Sequence, residues 1–303
     1  FRAERIAADK VTVIRRPTLT PKGTSKGMPI SFEIVDARAR VEMLPAFSYR
    51  RGVYDVSAAI DLKRGTGGQK GHVVARSVLH TGDFLDVRFQ LGKARPLLID
   101  ARAEEAQGGA LAGSLGLPVN KAFGLNIQAN GRMAAGRFTA RATSGETQPL
   151  AAQGAWTPEG GQAAGRLALS ASTLTAPYAA RLGAEATFAV TGRKAKGGFY
   201  DLDGRASAAN LTLAARGQGV IGKRRTGPAG LAVDIATPDL NRLAGGPEMG
   251  AARLVGTLKG DGQDFSFAGT GSVARFTALG YGLDRVAGPV ELVVDVGSDE
   301  TTG

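Results

Sequence analysis

The sequence predicts a mainly β protein whose short antiparallel strands present one apolar and one polar face. Apolar and polar residues alternate along many short segments, as on strands whose successive side chains point to opposite faces of a sheet. The 44 glycines and 13 prolines are spread along the 303 residues, as expected for a chain with many turns. One type of stretch also recurs, which is typical of a β architecture built by adding units.

The recurring stretch is a short apolar turn of Leu, Ala and Gly, followed by a loop and by an alternating strand that ends on glycine. It occupies Ala110–Gly131, Leu174–Gly192 and Leu240–Gly260. We therefore interpret residues 1–303 as one repetitive β region. Because the sequence starts at Phe1 and not at Met, we expect it to be a fragment of a longer protein.

The first third of the chain predicts strands separated by glycine-rich and proline-containing turns. Tyr54–Leu62 alternates most clearly, with Tyr54 and Val56 on one face and Asp55 on the other. Glu104–Leu115 is the strongest helix candidate, although its glycines weaken it. The other predicted strands here are Arg5–Ile14, Ile30–Met43, Val73–Leu79, Asp83–Leu91 and Leu97–Ala103.

The rest of the chain predicts further strands at short intervals, and Asp239–Leu243 as a single helical turn capped by Asp239. Beyond the strands of the recurring stretch, the predicted strands are Arg137–Ala142, Ala151–Trp156, Arg166–Ser172, Ala184–Thr191, Phe199–Ala208, Leu211–Gly217, Ala229–Ala236, Ala252–Lys259, Asp264–Gly271, Ser272–Phe276 and Pro289–Val296.

The apolar face of these strands carries few large side chains. In Ala184–Thr191 it presents Ala184, Ala186, Phe188 and Val190, and aromatic residues are only 6% of the chain. A closed sandwich of this length would normally fill its core to close-packed density with bulky side chains. The inner surface is therefore predicted to leave space for something that is not protein, although two sheets can also approach closely over small residues.

No enzymatic, metal-binding or cofactor-binding site is predicted. His72 and His80 flank a single strand without further convergent ligands, so we interpret both as surface residues. The motif Gly217–Gly222 matches G-x-G-x-x-G, but the turn Lys223–Pro228 follows it where a dinucleotide site requires a helix. The absence of cysteine excludes disulfides and is compatible with the cytoplasm or a bacterial periplasm.

The net charge of +11 would suit an anionic partner, but the cations are dispersed over outer faces and turns. Four basic clusters lie at strand ends, and no aromatic residues are interleaved with them for stacking on bases. We predict no nucleic-acid binding and keep contact with anionic lipid headgroups as a secondary role. The clusters are Arg15-Arg16, Arg50-Arg51, Arg193–Lys196 and Lys223–Arg225.

Three segments resemble elements of known protein families. Ile6–Pro17 looks like part of the large periplasmic region of the TamB (translocation and assembly module) family. Leu115–Pro118 followed by Leu125–Gly131 is similar to an element that recurs there. Pro238–Leu243 leading to Gly250–Gly260 is similar to an element shared with AsmA-like proteins. The resemblance is one of spacing over most of the chain and contains no catalytic residues.

The resemblance implies an elongated, curled, antiparallel or mixed sheet, a β-taco-like trough with an apolar interior. It implies a bridge-type lipid transfer protein in the periplasm, with an inner-membrane anchor outside this chain. The implied role is envelope biogenesis: moving phospholipid towards the outer membrane, and assisting outer-membrane protein assembly with a barrel partner of the TamA type. That partner would dock through regions outside these residues.

We predict that acyl chains lie along the apolar face, although each residue of that face could equally be core between two sheets. The predicted lipid-contacting residues are Leu85, Val87, Phe89, Leu125, Ile127, Leu167, Leu169, Phe188, Val190, Leu211, Leu213, Val233, Ile235, Phe265 and Phe267.

Two alternatives from other classes remain compatible with the alternation. One is a secreted structural or adhesive β-solenoid without a ligand, which a closed, bulky interior would favour. The other is a carbohydrate-binding β-sandwich. The single tryptophan, Trp156, and five tyrosines offer few rings for stacking on sugars, which argues against a sandwich of this kind.

Overall fold

The computed structural model describes residues 1–15, 31–63, 68–92, 96–220, 223, 225–245, 248–262, 264–278, 281–295 and 300–302. These residues are mainly β-sheet with a few short helices, which confirms the predicted fold class. They divide into unit 1, with residues 1–155 and 171–174, and unit 2, with residues 156–170 and 175–303. No described helix has the length and apolar character needed to cross a membrane.

Unit 1 is a mixed sheet. Its first two strands, β1 and β2, run parallel, and the following strands up to β8 each pair antiparallel with the next one along the chain. The elements are β1 Arg2–Val13, β2 Phe32–Met43, α1 Pro45–Ser48, β3 Gly52–Leu62, β4 Gln69–Ser77, β5 Phe84–Leu91, β6 Leu97–Glu105, α2 Ala110–Ser114, β7 Phe123–Arg132, β8 Ala135–Ser144 and β9 Thr147–Thr157.

Unit 2 is an antiparallel meander from β10 to β18. Two short 3₁₀ turns, Leu169–Ala171 and Lys196–Gly198, interrupt the connections. The other elements are β10 Gly160–Ala168, α3 Ala176–Leu182, β11 Glu185–Lys194, β12 Tyr200–Ala208, β13 Leu211–Val220, β14 Arg225–Thr237, α4 Leu240–Ala244, β15 Ala252–Gly260, β16 Asp264–Ala278, β17 Tyr281–Asp295 and β18 Glu300–Thr302.

Each predicted strand overlaps an observed strand, but several boundaries were wrong. The strand predicted at Pro289–Val296 already begins at Tyr281, and Val296 lies outside the described residues. Arg166–Ser172 stops at Ala168, because the chain leaves the sheet there to enter a 3₁₀ turn. Asp264–Gly271 and Ser272–Phe276 form the single strand β16, since the pairing with β15 runs through both segments without interruption.

The recurring sequence stretch is a short helix followed by a strand. Its three copies contain α2 with β7, α3 with β11, and α4 with β15. The pair α1 with β3 repeats the arrangement, and the sequence prediction missed it because Pro45–Ser48 lacks the Leu and Gly pattern. Asp239 caps α4 as predicted, and its Oδ1 accepts a hydrogen bond from the Arg242 backbone N–H at 3.0 Å.

Four strands separate α1 from α2, and four separate α3 from α4. Because an even number of antiparallel strands returns the chain to its starting edge, both helices of a unit lie at the same edge of its sheet. We call this the helix edge and the opposite one the turn edge. On a flat sheet, four strand spacings would separate the helices by roughly 19 Å. The helices of each pair instead contact one another, so the sheet of each unit curls.

A buried carboxylate attaches α2 to the sheet of unit 1. Glu105 is fully buried, and its Oε1 accepts hydrogen bonds from the Tyr54 hydroxyl at 2.6 Å and from the Leu111 N–H at 2.9 Å. Its Oε2 accepts from the Ala112 N–H at 2.8 Å. The predicted helix Glu104–Leu115 was therefore too long. Glu105 ends β6 and reaches across to the first turn of the helix from outside it, and Gly108 has a left-handed φ of 69°.

The contact between α1 and α2 depends on a glycine. A Cβ at Gly113 would overlap the carbonyl oxygen of Ser48, the last residue of α1. The Ser48 hydroxyl is itself fixed by hydrogen bonds to the carbonyl oxygens of Leu44 and Arg50, at 3.2 and 2.7 Å. The two helices can therefore approach this closely only because one of them has no side chain at the contact.

We expect Gly113→Ala to lower the free energy of unfolding by roughly 1–3 kcal/mol, because the added methyl group forces backbone atoms apart. Gly288→Ala is the matched control, since a Cβ at Gly288 meets no atom within 4 Å. Urea denaturation followed by circular dichroism measures both variants. An equal effect of the two substitutions would contradict the close contact between the helices.

Candidate functional site

The cross-strand register of unit 1 places the predicted lipid-contacting residues on one face. Leu85 lies opposite Ala103, which lies opposite Leu125. In the next row, Val87 lies opposite Ala101, and Ala101 opposite Ile127. The apolar face of unit 1 consists of Val56, Ala58 and Ile60 on β3, Val73 and Ala75 on β4, Leu85, Val87 and Phe89 on β5, Ile99, Ala101 and Ala103 on β6, and Leu125, Ile127 and Ala129 on β7.

Burial on this face depends on the position and size of the side chain. Tyr54, Ala103 and Phe123 are buried with α2 residues in a core cluster at the helix edge. Towards the turn edge, the small Ala101 and Ala129 are buried. Of the larger side chains of that region, Leu97 is 9% exposed, whereas Val87 and Phe89 are half-buried. The helices therefore seal one end of the face, and several of its larger side chains are partly exposed elsewhere.

Unit 2 has a corresponding face with the same alternation. One row runs from Phe188 through Ala206, Leu213 and Ile235 to Leu254, with each residue opposite the next. The apolar face of unit 2 consists of Leu167 on β10, Ala186, Phe188 and Val190 on β11, Leu202 and Ala206 on β12, Leu211 and Leu213 on β13, Leu231, Val233 and Ile235 on β14, Leu254 and Leu258 on β15, and Phe265 and Phe267 on β16.

Leu169 is the one predicted residue that does not lie on a strand. It begins the 3₁₀ turn after β10 and is only 6% exposed. Its carbonyl oxygen accepts a hydrogen bond from the Thr175 hydroxyl at 2.6 Å, just before α3. Leu169 therefore packs in a helical connection and not along the apolar face, because the chain turns away from β10 one residue before it.

On the apolar faces, aromatic rings pack directly against glycines. A Cβ at Gly71 would lie 2.6 Å from the ring of Phe89 on the neighbouring strand. Likewise, the ring tip of Phe267 lies 2.6 and 2.8 Å from the Cβ positions of Gly256 and Gly269. These rings lie against the backbone and extend little above the sheet. The sequence prediction missed this arrangement, which depends on the register between strands.

The opposite faces are polar and carry cross-strand ion pairs. Arg40 Nε lies 2.9 Å from Asp55 Oδ1, and Arg253 pairs with Asp234 through two hydrogen bonds of 3.0 and 2.6 Å. Hydrogen bonds with these arginines lower the pKa of both aspartates. Each sheet therefore separates an apolar from a charged surface.

A carboxylate also ties the first strands of unit 1 together. Glu42 on β2 pairs with Lys10 on β1 and with Arg51, which precedes β3, the latter at 2.7 Å. Its side chain is 9% exposed. Hydrogen bonds with Lys10 and then with Arg51 lower the pKa of Glu42.

Each histidine contacts charged side chains. His72 Nε2 lies 2.9 Å from Asp86 Oδ1 on the polar face, and His80 Nε2 lies 3.4 Å from Arg50 Nη2. The part of the chain that the structure describes contains no group of His, Asp or Glu side chains suited to a metal ion. Gly217–Val220 of the glycine motif belongs to β13, and Ile221 and Gly222 lie outside the described residues.

Comparison with known proteins adds no relative. No family model, no curated protein and no solved structure matches the chain.

We expect Glu42→Gln to destabilise the protein at neutral pH, with a loss that shrinks as the solution is acidified. The pKa of Glu42 is lower in the folded than in the unfolded chain, so its carboxylate stabilises the fold above the unfolded value of about 4.3. That stabilisation is lost as the pH falls through the folded-state pKa.

Denaturant titrations of wild type and Glu42→Gln between pH 7 and pH 3 measure this difference. Glu4→Gln is the control, because Glu4 pairs with Arg2 at 3.0 Å but both side chains are more than half exposed. A difference between wild type and Glu42→Gln that stays constant over this range would contradict the role of the carboxylate.

Proposed function

We propose that this protein is a non-enzymatic carrier of phospholipid acyl chains, which lie along the apolar faces of its sheets. The observation that carries the proposal is the partial exposure of large apolar side chains at strand positions facing inwards. Val190 and Leu167 are 41% and 38% exposed, and Val87, Phe89 and Ile127 are only half-buried. Such side chains gain from contact with a hydrocarbon ligand.

A broad apolar surface can supply the free energy that such a carrier needs to shelter an acyl chain from water. Sheltering an acyl chain of sixteen carbons is worth on the order of 12 kcal/mol, at ~0.8 kcal/mol for each methylene. No specific polar contact is needed, because the hydrophobic effect is roughly proportional to the apolar area removed from water. Leu, Val, Ile, Phe and Ala in successive rows provide this area.

We place this function in the periplasm, in envelope biogenesis between the inner and outer membranes. The resemblance of Ile6–Pro17 and Pro238–Leu243 to the TamB and AsmA-like pattern supports this placement, and the absence of cysteine is compatible with it. The proposal includes phospholipid as cargo and assistance to outer-membrane protein assembly with a barrel partner of the TamA type.

The partial exposure favours a carrier over a sealed β-solenoid. A solenoid without a ligand would bury inward-facing side chains such as Val190, and the small residues opposite it would be replaced by larger ones. Val190 instead faces Ala163 on one neighbouring strand and Gly204 on the other.

We expect Val190→Glu and Phe188→Glu to reduce lipid binding strongly, because each places a charge where an acyl chain would lie. Thr187→Glu and Ala189→Glu are matched controls, since these exposed residues on the same strand point to the opposite face. Photo-crosslinking of a diazirine-labelled phospholipid measures binding, and circular dichroism checks the fold. Phe267 is less suitable, because it is 8% exposed and its ring supports two strands.

Folded variants with a charge at position 188 or 190 that crosslink lipid as well as wild type would refute the proposal. Equal loss in the Thr187→Glu and Ala189→Glu controls would also contradict it, because the effect would then not depend on the face.

A further inference from the structure

The turn edge of unit 2 carries an unusual group of cations. They come from the end of β11, the turn after it, the β13–β14 connection, the first residue of β14 and the end of β15, and all are exposed. None of them makes an ion pair within the residues that the structure describes. We call them the rim cations: Arg193, Lys194, Lys196, Lys223, Arg225 and Lys259.

Three other arginines of unit 2 differ from the rim cations. Arg253 pairs with Asp234, Arg216 pairs with Asp203, and Arg166 lies 3.6 Å from Glu185. These three arginines are paired with carboxylates, whereas the rim cations have no carboxylate partner among the described residues. An edge of this kind is suited to an anion from outside the chain.

A cleft of about 440 Å³ lies at this edge, and two rim cations line it. The pairing of β15 with β16 places Phe265 on the apolar face and Lys259 with Ser266 on the polar face. Because residues from both faces line the cleft, it extends over the rim of the sheet. Its lining includes Phe199, Arg225, Pro228, Lys259, Phe265 and Val293.

Arg225 lies over an aromatic ring of the cleft. Its guanidinium carbon lies 5.8 Å from the centroid of the Phe199 ring, a cation–π distance. A contact of this kind uses none of the N–H donors of the guanidinium. A planar fork of donors matches two oxygens of a phosphate.

Two carboxylates also line the cleft and limit what it can bind. Asp261 Oδ1 accepts a hydrogen bond from the Asp264 backbone N–H at 3.0 Å, so it helps to form the β15–β16 turn. Asp261 also forms an isolated backbone bridge with Arg225. The two carboxylates equal Arg225 and Lys259 in number, so the lining of the cleft carries no formal net charge of its own, which disfavours a highly charged anion more than a singly charged one.

We propose that this cleft binds the phosphodiester group of a phospholipid, through Arg225 and Lys259, while the acyl chains lie on the adjoining apolar face. A phosphodiester carries a single negative charge and is covalently joined to apolar chains. Phe265 reaches the cleft from the apolar face, so a headgroup at the rim and a chain on that face are adjacent. The proposal rests on the proposed lipid-carrier function for the chains, and adds the site that recognises the headgroup.

The test compares two ligands with the same chains, dioctanoyl phosphatidylglycerol and dioctanoylglycerol, of which only the first has a phosphate. Displacement of a fluorescent fatty acid measures the affinity of the full chain for each. We expect wild type to bind the phospholipid roughly tenfold or more tightly, as charge-assisted hydrogen bonds allow. Arg225→Gln with Lys259→Gln should abolish this preference and leave the affinity for dioctanoylglycerol within about twofold of wild type.

The matched control is Arg181→Gln with Arg285→Gln, which removes the same charge from exposed arginines near the helix edge. This control should keep the preference for the phospholipid. A third ligand, glycerophosphoglycerol, carries the same phosphodiester without chains and should bind far more weakly than the phospholipid.

The possible failures are distinct. Equal binding of both lipids by wild type, or a preference that survives in Arg225→Gln with Lys259→Gln, would overturn the headgroup site and leave the carrier function standing. Binding of neither lipid would overturn the carrier function and the headgroup site with it. Glycerophosphoglycerol binding as tight as that of the phospholipid would identify a free phosphodiester, and not a lipid, as the ligand.

Discussion

Register between strands is the constraint on which the two faces depend. Side chains alternate with a period of two, so a slip of one residue would exchange the whole apolar set for the charged set. From β3 to β8 the pairing runs without a shift, which keeps Leu85, Ala103 and Leu125 in one row. A slip at β5 would place Asp86 and Arg88 among these side chains. The cross-strand ion pairs of the polar face, such as that between Arg40 and Asp55, favour the same register.

At the helix edge, helices cover the end of the apolar face, so that it is not exposed to water. In unit 1, Glu105 connects β6 to the first turn of α2, and Tyr54 on β3 donates to the same carboxylate. Desolvation and the neighbouring carboxylate raise the pKa of the Tyr54 hydroxyl, so this donor remains protonated. In unit 2, the Asn210 amide holds the carbonyl oxygens of Arg181 and Asp239, at 3.1 and 3.0 Å. Each unit thus uses a buried polar side chain to position its helices.

The alternation of apolar and polar residues predicted the strands and the apolar side of each, because a repeat of two residues is visible within a single segment. It placed Phe188 and Val190 on one face, where the register later aligned them with residues from other strands. It could not predict the connection around Leu169, where the chain leaves β10 for a helical turn. It also could not predict Glu105, whose role depends on Tyr54, fifty-one positions away along the chain. The packing of Phe89 on Gly71 likewise could not be predicted, because it depends on the pairing of β4 with β5.

Small residues connect the fold with the proposed function. A sheet that packs on a second protein layer needs either large side chains or a close approach of the two layers, since unfilled volume destabilises a core. In unit 2, Val190 lies between Ala163 and Gly204, so the backbone forms much of the surface around it. Such a surface gains hydrophobic stabilisation when an apolar group from outside the sheet covers it. Sealing by the helices is confined to one edge, and the rim cations lie at the other in unit 2. A bound amphiphile would cover the apolar face with its chain and interact with the rim cations through its charged group.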